Sequence, residues 1–219
     1  MLLAVLWAVL GLVLGLGVNR LSLLMEKAEF KGEGAPVLKA SRWRDYFLPL
    51  AAASLFAAFA LKLHFGPSLW VTSLFVLILL QVMVVDFEYR LILEWVILPS
   101  CAIAIALAVF VPSALQVKDW KIDLLCGALA LVFFLVLYFL PRLVLKVEAL
   151  GFGDVELGLF IGLALATAAL PAIIYGILLG GLIPGALLLF RLKKRHDYVP
   201  YGPFLCLGAL AAMLMRAWA

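Results

Sequence analysis

The chain has 219 residues, of which 68% are hydrophobic and 14% are charged, and its mean hydropathy is +1.22. Soluble domains contain roughly half apolar and a quarter charged residues, so this composition excludes a soluble protein and indicates an integral membrane protein. The net charge of +4 is small. The placement of the basic residues, described below, explains it without a nucleic-acid-binding surface.

Eight apolar segments follow one another along the chain, and each approaches the roughly 20 residues that a membrane-spanning helix needs. They cover residues 1–18, 46–65, 68–86, 94–112, 123–141, 155–171, 172–190 and 202–218. We therefore predict an all-α, polytopic bundle of about eight transmembrane helices. It is expected to form a single domain over residues 1–219, with a short cytoplasmic loop at 20–45.

The basic residues predict how the chain threads through the membrane. With the N-terminus outside, 13 of the 17 Lys and Arg residues lie in cytoplasmic loops. The four on the outside are Lys62, Lys118, Lys121 and Arg216. The positive-inside rule favours this threading.

Two aspartates lie at the edges of apolar spans, Asp86 at the end of the third and Asp154 at the start of the sixth. Ionisable side chains at membrane depth are costly and indicate a functional site. The predicted threading places both on the cytoplasmic side. If they meet there, they can share one proton, which is the requirement for aspartyl hydrolysis.

Each aspartate also has a structural interpretation. Asp86 is four residues before Arg90, so it is also interpreted as half of an exposed ion pair on a continued helix, a kind of pair that contributes little. Asp154 follows Gly151 and Gly153, and an aspartate after a glycine-rich turn commonly caps a helix N-terminus. The spacing alone leaves both alternatives open.

The residues that usually hold metals are dispersed. Cys101, Cys126 and Cys206 lie in separate apolar spans without a Cys-x-x-Cys pair, and His64 and His196 lie in different loops. We therefore predict no metal site.

Three segments, in order along the chain, resemble a known family. Asp86 is followed about a dozen residues later by Leu98-Pro99-Ser100; a second segment, EALGFGD, ends at Asp154; and a third, VPYGPFL, runs from Val199. They are similar to the first-aspartate segment with its Ile-Pro-Asn-like triplet, the G-x-G-D segment, and the Ile-Pro-Phe-Gly-Pro-Phe-Leu start of the last span in type IV prepilin peptidases. Three ordered motifs are more specific than G-x-G-D alone, which presenilin-like proteases also carry.

The resemblance implies an eight-span aspartyl endopeptidase of the bacterial inner membrane. Such an enzyme cleaves the leader peptide of type IV prepilins or type II secretion pseudopilins after a glycine, at the cytoplasmic face. The resemblance assigns catalysis to Asp86 and Asp154, needs no cofactor for proteolysis, and makes Glu148, Gly151 and Gly153 the residues that position the turn. The further neighbours expected around the site are Glu88, Glu94, Pro200, Gly202 and Pro203.

The chain departs from the family pattern in its first loop. Many members have a longer loop with two zinc-binding Cys-x-x-Cys pairs, whereas residues 20–45 contain no cysteine. The family's Lys two positions after the second aspartate is Glu156 here. Many members also methylate the new N-terminus, so S-adenosylmethionine is expected only if that activity is retained. The expected partners are prepilin or pseudopilin substrates and the lipid bilayer, with no nucleic acid.

Two other functions use the same residues. A small proton- or cation-coupled transporter predicts charges near the bilayer midplane, paired interrupted helices and an internal repeat. The sequence shows no convincing repeat, and both aspartates lie toward one face. A nonproteolytic member of the family is the second alternative, and the presence of both aspartates argues against it.

Overall fold

The structure, a computed structural model, describes residues 1–29, 42–111, 119–144, 146, 150–189 and 200–218. One turn of 3₁₀ helix, Ala166–Ala168, joins the sixth and seventh α-helices. The α-helices in this part of the chain are α1 (Leu2–Glu29), α2 (Arg42–Lys62), α3 (Pro67–Tyr89), α4 (Glu94–Phe110), α5 (Trp120–Val144), α6 (Phe152–Leu165), α7 (Ala169–Leu189) and α8 (Gly202–Trp218).

The prediction of an all-α, polytopic membrane bundle is confirmed. The described residues contain no strand. Helices α1, α2, α3 and α5 and the stretch through α6 and α7 are long and apolar enough to cross a membrane, and α4 and α8 are shorter apolar helices. Helices suit this environment because each satisfies its own backbone hydrogen bonds.

The first loop is shorter than predicted. Helix α1 continues to Glu29 and α2 begins at Arg42, so both ends of the predicted loop at 20–45 are helical. Polar contacts of Asn19 and Ser22 on α1 with Arg44 on α2, described below, pair these helix ends beyond their apolar segments.

Helix α3 is buried over most of its length. Every residue from Phe75 to Asp86 is buried. A helix that is apolar on all faces is buried on all faces, whereas α1 and α5 expose much of their apolar surface, as helices facing lipid do. Asp86 is thus a carboxylate on a largely enclosed helix.

The helices run in alternating directions. Arg216, near the end of α8, donates a hydrogen bond to the carbonyl of Leu165, the last residue of α6. Gly180 of α7 packs against the ring of Tyr201, which precedes α8. Helix α6 therefore runs away from the end of the bundle where α8 begins, and α7 returns to it. We call this end, where α3 ends and α4, α6 and α8 begin, the carboxylate end.

A buried guanidinium ties three helices together at the carboxylate end. The side chain of Arg44 on α2 is fully buried, and its Nη1 forms an ion pair of 2.7 Å with Oε2 of Glu88 on α3. On α1, Arg44 Nε donates to Asn19 Oδ1 and Nη2 donates to Ser22 Oγ, each at 2.8 Å. Asn19 in turn donates to Asp45. The last turn of α3, which carries Asp86, is held in place by this network.

Replacing Arg44 with Met is expected to lower the free energy of unfolding by about 3–5 kcal/mol, because it leaves Glu88 with a largely buried charge that has lost its guanidinium. Unfolding of the detergent-solubilised protein measures the change. Arg42→Met is the matched control, since Arg42 is an exposed arginine at the start of the same helix. Equal losses in the two variants would show that the network does not stabilise the fold.

Candidate active site

Asp86 lies in the last turn of α3. The helix ends at Tyr89 because Arg90 adopts the left-handed conformation, with φ of 57°, while its backbone N–H still donates to the Asp86 carbonyl at 2.8 Å. The Asp86 side chain is only 5% exposed. The interpretation of Asp86 as an exposed surface charge is therefore wrong, because the side chain points into the bundle.

Asp154 lies in the first turn of α6. Gly151 is the N-cap residue, and its backbone N–H donates to Asp154 Oδ2 at 3.2 Å. The predicted capping role is thus present, although Asp154 is three residues inside the helix and reaches back to the cap. One carboxylate oxygen makes this contact, and the side chain as a whole is 6% exposed.

The two aspartates, from α3 and α6, line the same cavity of about 220 Å³. They are close enough for the charge of Asp86 to act on Asp154. We call this space the acidic cavity. Its polar lining consists of Asp86, Arg90, Glu94, Asp154, Glu156 and Tyr201. The sequence predicted that the two aspartates lie at one end of the bundle, and the structure brings them to one cavity.

Two glycines let the walls of the cavity approach each other. A Cβ on Gly153 would lie 2.8 Å from the Cβ of Ile92, and one on Gly202 would lie 2.5 Å from Oδ2 of Asp86. Distances below 3.0 Å are not tolerated without displacement. The turn before α6 and the start of α8 therefore close around Ile92 and Asp86 only because both positions lack a side chain.

One oxygen of the Asp86 carboxylate lacks a hydrogen-bond partner among the described residues. This oxygen, Oδ2, is buried. The backbone amide of Gly202, at the start of α8, is close enough to the Asp86 carboxylate to act on it. A buried carboxylate oxygen without a hydrogen-bond partner is costly.

The predicted neighbours separate into three groups. Glu94 lines the acidic cavity and Gly202 packs against Asp86. Glu88 does not line the cavity, because its carboxylate pairs with Arg44. Pro200 and Pro203 line a separate groove. Glu148 lies outside the described residues, so its position stays a prediction.

The groove that contains the two prolines is apolar and measures about 590 Å³. We call it the apolar groove. Trp43, Phe87 and Leu207 are among its other walls, and all three are partly exposed. Phe87 directly follows Asp86, so the groove and the acidic cavity lie beside the same turn of α3.

Sequence reasoning gave no place in the site to several side chains that line the cavity, among them Tyr201, Arg90 and Ile92. Tyr201 was present in the VPYGPFL segment but was not given a place in the site. Burial, followed by the charge of Asp154, raises the pKa of its phenol. The phenol therefore stays protonated at neutral pH and is able to donate a hydrogen bond into the cavity.

The fold and the cavity define a polytopic helical membrane protein with a carboxylate-lined site at one end of the bundle. The model of the type IV leader peptidase family matches residues 73–188, more than half of the chain and the part that contains both aspartates. The chain belongs to the type IV leader peptidase family and is therefore a peptidase. No curated protein and no solved structure matches it.

Replacing Gly202 with Ala is expected to slow leader peptide hydrolysis by about 10²-fold, because a misplacement of about 1 Å in a reacting group has effects of this size. The added methyl must displace Asp86 or α8. The initial rate of cleavage of a leader-bearing substrate measures the effect. Gly181→Ala is the matched control, since no atom lies within 4 Å of its added Cβ. Equal rates in the two variants would contradict the prediction.

Proposed function

We propose that the protein is an aspartyl endopeptidase that removes the leader peptide from type IV prepilins or type II secretion pseudopilins. The observation that carries this proposal is the presence of Asp86 and Asp154, from two separate helices, on the wall of one cavity. Membership of the leader peptidase family supports the choice of peptide hydrolysis over ion transport.

The proposed chemistry needs one proton on the pair. The ionised carboxylate takes a proton from water, which attacks the scissile carbonyl, while the protonated carboxyl polarises that carbonyl and then supplies a proton to the leaving nitrogen. Two coupled carboxylates titrate as a pair, so neither Asp86 nor Asp154 is assigned as the permanent base. No metal or cofactor is required for these steps.

Local contacts support this division of roles. The Gly151 amide holds one oxygen of Asp154 and fixes the orientation of its carboxylate. Asp86 has an oxygen without a hydrogen-bond partner among the described residues. We infer that Gly153 and Glu148 position the turn, and that Tyr201 donates a hydrogen bond to the substrate or to the attacking water.

The two spaces beside Asp86 suit a substrate with two different parts. The acidic cavity accepts the polar peptide around the scissile bond, and the adjoining apolar groove accepts apolar residues that follow it. A prepilin, with a basic leader before an apolar helix, has this arrangement. We infer that cleavage follows a glycine, whose lack of a side chain allows close approach to the aspartates.

The charge distribution supports a location in the bacterial inner membrane with the carboxylate end toward the cytoplasm. Basic residues are concentrated in the segments that join helices at that end, and the positive-inside rule favours a cytoplasmic position for them. We infer that residues 1–219 act as one transmembrane peptidase domain with the N-terminus outside.

Methylation of the new N-terminus is not needed by this mechanism. S-adenosylmethionine would enter only as a second substrate for that step. The mass of the processed product shows whether methylation has occurred, because a transferred methyl group adds a fixed increment to the mass left after leader removal.

Asp86→Asn and Asp154→Asn are each expected to lower cleavage of a co-expressed prepilin on the order of 10⁴-fold, because either change removes the shared proton chemistry. Mass spectrometry of the prepilin measures leader removal. Asp119→Asn is the matched control, since Asp119 precedes α5 at the opposite end of the bundle and is exposed. Retained processing by either active-site variant would refute the carboxylate pair and favour a different mechanism or a nonproteolytic role.

Fusions test the proposed threading. Eight crossings return the chain to its starting side, so alkaline phosphatase fused after α8 is expected to be active, as it is only outside the cytoplasm. The same enzyme fused after α7 is expected to be inactive. The reverse pattern would place the carboxylate end outside and contradict the proposed cytoplasmic site.

A further inference from the structure

Helix α8 contacts both of the helices that carry the aspartates, one near each of its ends. Near its start, Gly202 packs against Oδ2 of Asp86 on α3. Near its end, Nη1 of Arg216 donates a hydrogen bond of 3.2 Å to the carbonyl of Leu165, the last residue of α6. Because α6 carries Asp154, α8 connects the two aspartates through contacts at opposite ends of the bundle.

The end of α6 that Arg216 contacts is buried and strained. Leu165 and Ala166 are both buried, and Ala166 has φ of 51°, a value that residues other than glycine rarely adopt. The last carbonyls of a helix lack partners within the helix, and a strained residue persists only where its surroundings hold it. The cationic donor of Arg216 satisfies one of these carbonyls and complements the negative end of the helix dipole.

The sides of α6 pack through apolar and backbone atoms. Gly158 lies against the ring of Phe134, and Gly162 lies against the backbone of α5. The hydrogen bond that Asp154 accepts joins α6 to its own N-cap and not to another helix. Apolar contacts are non-directional, whereas a hydrogen bond weakens with small changes in distance and angle. The bond from Arg216 is therefore the kind of contact that fixes the position of α6 along its own axis.

A buried carboxylate on α5 lies at the same end of the bundle. Asp123 is fully buried and is close enough to Arg216 to interact with it electrostatically. It lies one turn before Gly127, which packs against Leu163 of α6. Neither oxygen of Asp123 has a hydrogen-bond partner among the described residues, so its attraction for the guanidinium acts through charge. Asp123 and Arg216 therefore approach the same end of α6 from two different helices.

We propose that Arg216 is a positioning residue for the hydrolysis, which holds the far end of α6 and thereby sets the distance of Asp154 from Asp86. Leu165 follows Asp154 by eleven positions, so about 16 Å of continuous helix joins them. A rigid helix carries a displacement at one end to the other. Asp123 holds the guanidinium of Arg216 in place. The proposal rests on the proposed function, because it concerns the separation of the two carboxylates that perform hydrolysis.

Replacing Arg216 with Met removes the donor and retains a long apolar side chain. The variant is expected to lower kcat for leader removal on the order of 10²-fold, because a shift of about 1 Å in a reacting group has effects of this size. KM is expected to change little, since Arg216 does not line the acidic cavity. Initial rates of cleavage of a leader-bearing substrate by the purified protein, measured over a range of substrate concentrations, give both constants.

Three further variants test the assignment. Arg216→Lys keeps a cationic donor near the end of α6 and is expected to recover most of the lost rate. Lys121→Met removes an exposed cation at the same end of the bundle and is expected to keep the wild-type kcat. Asp123→Asn is expected to lower kcat in the wild-type background and to have little further effect when combined with Arg216→Met, because residues that act as a unit are not additive.

The pH dependence of kcat separates positioning from a general loss of folded protein. Hydrolysis needs one proton on the pair, so the profile is expected to be bell-shaped. Two carboxylates that lie close together hold a single proton over a wider pH range than two that lie apart. Arg216→Met is therefore expected to narrow the profile, whereas a smaller folded fraction lowers the rate without changing the width. The other ionisable groups that line the cavity or interact with the pair are the same in both proteins: Arg90, Glu94, Glu156, Tyr201 and Cys206.

The outcomes separate this proposal from the proposed function. A wild-type kcat in Arg216→Met, or a lower kcat with an unchanged width of the pH profile, overturns the positioning role while leaving proteolysis intact. Additive effects of Arg216→Met and Asp123→Asn overturn the part assigned to Asp123. Cleavage that persists in Asp86→Asn or Asp154→Asn overturns the proposed function instead.

Discussion

The buried guanidinium of Arg44 is the interaction on which the carboxylate end depends. A charge inside a membrane bundle is stable only when fully paired, and Arg44 obtains its partners from α1 and α3 at once. These contacts pair α1 with α2 at Asn19 and Ser22 and hold the last turn of α3 through Glu88. Asp86 lies in the same turn, so the position of a proposed catalytic carboxylate depends on a residue that does not line the acidic cavity.

The other walls of the acidic cavity approach each other closely because glycines, which have no side chain, lie at the contacts. Gly153 meets Ile92, and Gly202 meets Asp86, at distances that no Cβ would permit. Helices α6 and α8 therefore start close to the end of α3, and the cavity between them is small. A small cavity with buried carboxylates retains strong electrostatic interactions, because little water is available to screen them.

The two aspartates were predictable because charged residues are rare in apolar runs and each is costly. The buried position of Arg44 could not be predicted, because Arg44 is one of many basic residues in a stretch that resembles a solvated loop. Tyr201 and Ile92 were also missed, because an aromatic and an aliphatic side chain in an apolar sequence give no signal of their own. Their roles come from three helix ends that are far apart along the chain.

Two similar tripeptides, Asp-Phe-Glu from Asp86 and Asp-Val-Glu from Asp154, have glutamates whose surroundings the local sequence does not predict. Asp86 and Asp154 are each followed two residues later by a glutamate, and nothing local distinguishes the two. Composition and charge determined the membrane bundle, the motifs determined the family, and the apolar context marked both aspartates. Only the tertiary structure directed Glu88 to Arg44 and left Oε2 of Glu156 without a hydrogen-bond partner among the described residues, because the partner of a buried charge depends on which helix packs against it.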